Sequence, residues 1–507
     1  MSADSLVAEN RLDLPGGGFW NGHWQTDGHW TDVVNQEDGA VVGRVIAATA
    51  TEVDSAVRAV AAEVRRRAWP LWRRREALRA ASTTLAERGE VFARLLCAES
   101  SKPIRDARAE VERAVETLRL SSEQAARLAG ETLPFDDTPR GAGRRGWYTR
   151  EPIGVVGAIT SFNDPLNLVA HKLGPALIAG NGVVLKPSDH TPLTALLLAE
   201  VLLHSGVPRS WLAVVAGTGR EVGQALVAHP EIDMISFTGG YHTGAAIAAL
   251  AGPKKLLMEL GGNGPVIVLA DADLQDAAAA IVDGAFTNSG QNCLSVQRVF
   301  AERSRYEDLT SMIRARTESL VVGSKSSECT DVGPLIDEKA AIRVAGWVDE
   351  AVRDGARVLT GGRRDGVFYE PTLLAEVPGH AKVLRQEVFG PVVTVLPFDG
   401  VEQAIKRANE SPYALQAGVF TADLDLALQM ADSLDFGAVM INDTSDFRID
   451  AMPFGGKGKR SGLGREGVRY AVESMTEPKI IAIRHGAPGS RSCADAGHLS
   501  VGGVMAE

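Results

Sequence analysis

The sequence predicts an α/β protein built on a doubly wound, Rossmann-like parallel sheet, with a second α/β unit following it. Three observations carry that expectation. From residue 152 onward, short strands that are apolar throughout alternate with helical segments, the pattern of a parallel sheet buried on both faces. A second alternating series runs from Val266 to about Val439. The chain also has 507 residues, too many for one hydrophobic core, so it should divide into two or three domains.

Composition narrows the function classes. Hydrophobic residues make up 45% and charged residues 23%, an ordinary soluble balance. With 53 Lys and Arg against 64 Asp and Glu, the net charge of -11 argues against a nucleic-acid surface. Cys97, Cys293, Cys329 and Cys493 form no CxxC pair and no metal-ligand spacing, so neither a disulfide framework nor a metal site is expected and a reducing cytoplasm fits. The first thirty residues lack a basic segment followed by an apolar one, and no apolar run reaches the ~18 residues of a membrane span.

The elements follow in order. Residues 1–50 are rich in Gly, Asn, Asp and Trp, with a strand-like piece at Ala40–Ile46. A helix is expected from Thr51, capped with help from Asp54, and Val53, Val57, Val60 and Val64 share one face. The basic run Arg65–Arg67 reads as solvated. Helical pattern continues to about Leu128, interrupted near Lys102-Pro103, and Pro, Gly and Arg then break it over 131–150. The first α/β series places strands at 155–159, 183–185, 212–215, 234–237 and finally 256–260, with helices at 166–178, 193–203, 222–228 and 242–250. The second places strands at 266–269 and 299–301, helices at 273–284 and 305–319, and further segments at 357–360 and 391–396.

Candidate chemistry centres on Phe286-Thr-Asn-Ser-Gly-Gln-Asn-Cys293, where a cysteine sits in a turn behind Gly290-Gln-Asn. A lone thiol is commonly a small buried hydrophobe; its turn setting and the residues elsewhere argue for a nucleophile. Glu259 ends a strand in Met258-Glu-Leu-Gly-Gly, where apolar flanks favour a neutral carboxyl tuned toward general-base work. Asn163, in Ser161-Phe162-Asn163-Asp164-Pro, follows a strand and either shapes a turn or points an amide at an oxyanion beside the Cys293 N–H. Lys186 ends the strand Val183–Lys186 and can meet ligand hydroxyls. Gly217–Gly223 and Phe237–Gly244 are glycine-bearing strand–turn–helix junctions suited to phosphate, although neither matches GxGxxG.

Together these motifs resemble the NAD(P)-dependent aldehyde dehydrogenase superfamily from about residue 30 to 484. The resemblance implies that Cys293 is the nucleophile, Glu259 the general base, Asn163 the oxyanion donor and Glu466 a second carboxylate for proton relay. Lys186, Ser188 and Asp189 align with the adenosine-ribose segment, and Phe237, Thr238, Gly239 and Gly240 with the phosphate loop. Glu387 and Phe389, in Glu387-Val-Phe-Gly-Pro, align with the motif that holds the nicotinamide ribose and flanks its ring. Ser161, Phe162, Gly219 and Leu260 complete the implied cofactor contacts. It also implies an NAD(P)-binding domain (1–130 and 149–260), a catalytic domain (261–455) and a small β oligomerisation ribbon (131–148 and 478–487) that builds a homodimer or homotetramer; residues 488–507 are expected to be a disordered tail.

Three departures stand out. Gly240 replaces the usual serine of the phosphate loop, and Asp189 stands where a glutamate is usual, favouring NAD while leaving NADP open. Gly456–Ser461 carries one extra residue. The stretches around Phe162-Asn-Asp, Phe447-Arg448-Ile-Asp and Arg465-Glu-Gly-Val-Arg resemble the branch containing lactaldehyde, semialdehyde and phosphonoacetaldehyde dehydrogenases. Arg448 is a candidate anchor for an anionic tail, or else a partner of Asp446 or Asp450, and Arg108 is a second candidate or a helix-surface residue. Asp164 and Asn292 near the nucleophile argue against a doubly charged tail. The expected substrate is therefore a small polar or singly charged aldehyde. The alternatives are an anionic semialdehyde or phosphonate aldehyde, a CoA-acylating enzyme, which would typically lack the base, and an inactive homologue.

Overall fold

A computed structural model describes residues 14–66 and 69–485; Arg67, Cys493 and the tail expected at 488–507 lie outside the described residues. The first α/β series forms the middle of an eight-stranded sheet. Five parallel strands lie in the spatial order Leu212–Val214, Gly182–Lys186, Val155–Ile159, Met234–Thr238 and Lys255–Glu259. The first four are buried at every residue, which is why they read as unbroken apolar runs. Strand order reverses between Val155–Ile159 and Met234–Thr238. Such a switch point opens a crevice beyond the strand carboxyl ends, where doubly wound sheets bind ligands.

The sheet does not end at residue 260, as the sequence suggested. Gly462–Leu463 pairs antiparallel with Met258–Glu259, and Phe19–Trp20 joins the other edge before pairing with His23–Trp24. Strands of two residues carry no alternation that could be read locally. The first long helix also starts earlier, at Ala50. Its capping box is Thr49 with Glu52, whose carboxylate accepts from the Thr49 N–H at 2.7 Å while Glu52 N donates to the Thr49 hydroxyl at 3.3 Å. Asp54 instead pairs with Arg58. The helix expected at 222–228 opens with a π-helical turn, Gly219–Gly223, before Gln224–Ala228.

Helix Asn167–Ala179 is buried at every position, as a central helix packed on all sides must be. It nonetheless carries His171 and Lys172, so these polar groups require internal partners. The second series forms a seven-stranded sheet in the order 357–360, 372–375, 392–398, 296–302, 264–268, 416–420 and 438–441, parallel except for its first pair. A third sheet pairs Glu131–Leu133, Arg144–Pro152 and Thr476–Arg484, with Thr476 opposite Pro152 and Arg484 opposite Arg144. Among the described residues no helix is long and apolar enough to cross a membrane.

Candidate active site

The turn before Cys293 is built by its neighbours. Asn288 and Ser289 take left-handed backbone angles (φ 52° and 57°), and Gly290 follows at φ 67°. A Cβ on Gly290 would fall 2.3 Å from the Gly390 carbonyl, so only glycine fits this approach of two loops. Gln291 is fully buried: its amide donates to Ser101 Oγ at 3.0 Å and its oxygen accepts from Ile336 N at 2.9 Å. Asn292 accepts from Leu294 N at 3.2 Å and tightens the turn. Cys293 therefore faces a cavity of about 580 Å³ from a braced loop.

That cavity is also lined by Asn163, Asp164, Glu259, Glu387, Phe389 and Arg448. Asn163 Oδ1 accepts from Ser161 Oγ at 2.8 Å, and its carbonyl accepts from Asn288 Nδ2 at 3.1 Å. These bonds orient the side chain while its Nδ2 has no acceptor among the described residues. The Cys293 amide is likewise without a protein acceptor there. Two unspent donors beside one thiol can stabilise an oxyanion on the carbon the sulfur attacks.

Glu259 is 2% exposed. Oε1 accepts from the Glu466 amide at 3.3 Å, and Oε2 has no partner among the described residues. Burial, reinforced by the Glu466 charge, pushes its pKa well above the ordinary carboxylate range. Glu466 behaves oppositely. Burial pushes it up, but Lys172 at 2.9 Å, with His171 and Arg448, outweighs that and holds it low. Burial also raises the Cys293 thiol beyond its usual range, and the Glu387 charge adds to this. A thiol held protonated needs a base before it can act as a nucleophile, and the raised Glu259 carboxyl lines the same cavity.

The cofactor candidates cluster at the switch point. Ser161, Lys186, Ser188, Asp189, Gly219, Phe237, Thr238, Gly239 and Gly240 line a groove of about 350 Å³ that shares Ser161 and Thr238–Gly240 with the Cys293 cavity. Lys186 pairs with Asp189 at the groove wall. A Cβ on Gly219, Gly223 or Gly240 would meet only open space, and Gly240 precedes the helix Tyr241–Ala251. Backbone N–H groups at a helix start with room for a phosphate fit a dinucleotide. Glu387 Oε1 accepts from Gly262 N at 3.0 Å, and burial raises this carboxyl to about 7. Leu260 and Phe389 (φ 50°) line the cavity, and Phe389 meets Phe162 edge-on at 5.6 Å. The extra residue in 456–461 loops outward: Lys457 and Lys459 pair with Asp435, while Ser461 Oγ still donates to Gly261 O at 2.8 Å.

Of the substrate candidates, Arg108 is not in the cavity. It pairs with Glu90 at 2.9 Å and Glu328 at 2.8 Å along an outer cleft, because its face of helix Ile104–Glu123 points away from Cys293. The opposite face supplies Asp106, Glu110 and Arg113, and Lys102 precedes it. Asp164 is no free carboxylate: Lys102 and Arg113 (3.5 Å) both pair with it, and Lys102 also holds Glu110 at 2.6 Å. Arg448 pairs with neither Asp446 nor Asp450. Asp450 instead binds Arg113 (3.2 Å), His171 (2.8 Å) and Asn167 (3.1 Å), and Asp446 accepts from Asn292 at 2.5 Å. Sequence reasoning missed Lys102, Arg113, His171 and Lys172. The i, i+4, i+7 spacing of Asp106, Glu110 and Arg113 on one helix face was the available signal, and it reads equally as a solvated stripe.

The chain belongs to the aldehyde dehydrogenase family, whose family model matches residues 24–481. It is an NAD(P)-dependent dehydrogenase acting on an aldehyde, and its relatives fall in the branch expected. It is 44% identical over 465 residues to a 3-sulfolactaldehyde dehydrogenase of Priestia aryabhattai, covering 92% of this chain and 97% of the relative. An aspartate-semialdehyde dehydrogenase 1 of Pseudomonas canavaninivorans is 46% identical over 459 residues, covering 89% and 96%. The crystal structure of aldehyde dehydrogenase 21 from Physcomitrella patens, in complex with its reaction product succinate, superposes with a TM-score of 0.90 at 36% identity, over 93% of this chain and 99% of that one. An NADP-dependent glyceraldehyde-3-phosphate dehydrogenase from Bacillus halodurans, complexed with NADP, gives a TM-score of 0.90 at 37% identity, over 93% and 99%.

Proposed function

We propose that this enzyme oxidises a short aldehyde bearing one anionic group to the corresponding acid. The observation that carries this is Arg448. Its side chain is 7% exposed and lines the Cys293 cavity, stacked 3.8 Å over Phe454. Its nearest carboxylate, Glu466, is 3.8 Å away and already bonded to Lys172, and its Nε has no partner. Nη2 stands 3.2 Å from His171 Nε2, but that nitrogen is 2.8 Å from the Asp450 carboxylate, so its hydrogen goes to Asp450 and it cannot accept from Arg448. A buried guanidinium whose Nε is unpartnered among the described residues, and whose one ion-pair carboxylate is shared with Lys172, can take an anion. Arg113 lines the same cavity. The sulfonate implied by one relative's name and the succinate bound by one neighbour agree with that chemistry.

In the proposed reaction Glu259 takes the thiol proton, through water, and Cys293 Sγ bonds to the aldehyde carbon. Asn163 Nδ2 and the Cys293 N–H hold the resulting oxyanion. When bound, the nicotinamide would supply the hydride acceptor, and Glu387 and Phe389 of the Cys293 cavity would hold it. The thioester left on Cys293 is hydrolysed by water that Glu259 deprotonates, and Glu466 beside it passes the proton on. Asp189 favours NAD through repulsion of a 2′-phosphate. The three sheets support a cofactor domain, a catalytic domain and a β ribbon; the ribbon's outer strand, with Ile480, Ile481 and Ile483 exposed, is where we place the contact of a homo-oligomer.

The test is a steady-state comparison of short aldehydes with carboxylate, sulfonate, phosphonate and neutral tails, with NAD and NADP in parallel. Arg448→Ala should raise KM for anionic aldehydes about 10–100-fold, the loss of a charged hydrogen bond, and change KM for neutral ones far less. Equal effects on both sets would overturn the reading.

A further inference from the structure

The cavity beside Cys293 is lined by two kinds of charged group. Arg448 and Arg113 bring guanidinium groups, Arg113 already paired with Asp164 and Asp450. Asp106 and Asp446 bring carboxyl groups that form no ion pair with any cation among the described residues. Asp446 Oδ1 accepts from Asn292 Nδ2 at 2.5 Å, and Asp106 Oδ2 accepts from Asn288 N at 3.0 Å. Each carboxyl keeps its second oxygen without a protein donor. Both belong to residues that sit partly open to the cavity, and both flank the turn that presents the thiol.

Glu110, Asp164, Asp450 and Glu466 each meet a Lys, Arg or His partner. Among the described residues Glu259, Glu387, Asp106 and Asp446 do not; the proposed reaction uses the first two as base and nicotinamide-ribose ligand, which leaves Asp106 and Asp446 without a task. Burial raises both, Asp446 to about 7. A carboxyl with a free oxygen can accept from a donor, and leaving a buried acceptor unmatched is costly. Arg448, its side chain nine-tenths buried and its Nε unpartnered among the described residues, lines the same cavity and is the independent sign that a ligand completes it.

We propose that Asp446, assisted by Asp106, recognises a hydrogen-bond donor on the substrate, a hydroxyl or an ammonium group carried between the aldehyde carbon and the anionic group. The preferred substrate is then a bifunctional short aldehyde: anion toward Arg448 and Arg113, donor toward Asp446, carbonyl at Cys293. This rests on the anionic-aldehyde reading above and deepens it. A site built around a substrate donor rejects the analogue lacking it, because its buried acceptor is left unpaired.

The test uses the full-length enzyme and three anionic aldehydes of equal length, unsubstituted, 2-hydroxylated and 2-amino, alongside a neutral aldehyde. The wild type should show kcat/KM at least about tenfold higher for one substituted aldehyde than for the unsubstituted one. Asp446→Leu should collapse that ratio toward one. Asp446→Asn keeps an accepting oxygen and loses the charge, so it should preserve a hydroxyl preference and abolish an ammonium preference, which separates the two donors. If Asp446 variants fold poorly, Asp106→Asn and the wild-type series supply the same ratio. An anionic preference with no effect of the substituent, or an Asp446→Leu loss equal for substituted and unsubstituted aldehydes, would overturn this proposal alone. No preference for anionic over neutral aldehydes would overturn the reading beneath it.

Discussion

Glu466 supports Glu259 from behind: its backbone amide donates to Glu259 Oε1 at 3.3 Å while its own carboxylate accepts from Lys172 Nζ at 2.9 Å. Two carboxyl groups this close cannot both hold charge cheaply, so their environments push their pKa values apart. Lys172 holds Glu466 low, while burial and the Glu466 charge raise Glu259.

The basic form of Glu259 is lost as pH falls through its raised pKa, so kcat should fall on the acid side and recover as pH rises. Glu259→Gln should lower steady-state turnover by ~10²–10⁴ and remove that acidic limb. Intact mass of the variant mixed with aldehyde and cofactor should show an acyl adduct that wild type clears.

Lys102 is 3% exposed and serves Glu110 and Asp164 together. Lys102→Met would leave two buried carboxylates without their shared cation, an unfavourable change of about 3–5 kcal/mol. Urea unfolding should report that loss. An unchanged midpoint would mean that Arg113 alone suffices for Asp164.

Asp189 is 47% exposed at the side chain and pairs with Lys186. Asp189→Ser removes a carboxylate that repels a 2′-phosphate and frees the lysine to meet one. The ratio of kcat/KM for NADP over NAD should rise about tenfold, corresponding to ~1.4 kcal/mol of relieved repulsion. A ratio that stays flat would place cofactor choice elsewhere in the groove.

Among the described residues, strand Thr476–Arg484 pairs on one side only, and it exposes Ile480 at 62%. An unpaired apolar edge invites another strand. Ile480→Glu should shift the protein to a smaller species in size-exclusion chromatography with light scattering, with secondary structure retained by circular dichroism.

The parallel sheet was legible because its strands are buried on both faces, so hydrophobicity alone marks Val155–Ile159 and Met234–Thr238. Its edges were not, since Phe19–Trp20 and Gly462–Leu463 are defined by a distant partner's hydrogen bonds. Cys293, Glu259 and Asn163 could be picked out because each stands in a turn or strand end whose glycine and asparagine neighbours are themselves unusual. The order of helix and strand, the positions of those three residues and the family likeness were thus determined by the sequence by itself.

Charge partners were decided only by tertiary structure. Arg108 and Arg113 share one helix and one residue type, yet one faces outer carboxylates and the other faces the cavity. Arg448 lies two residues from two aspartates and pairs with neither, because Asp450 is claimed by a helix some 280 positions away in the chain, through His171. Electrostatic pairing depends on distance and burial in three dimensions, and sequence spacing carries neither across such separations.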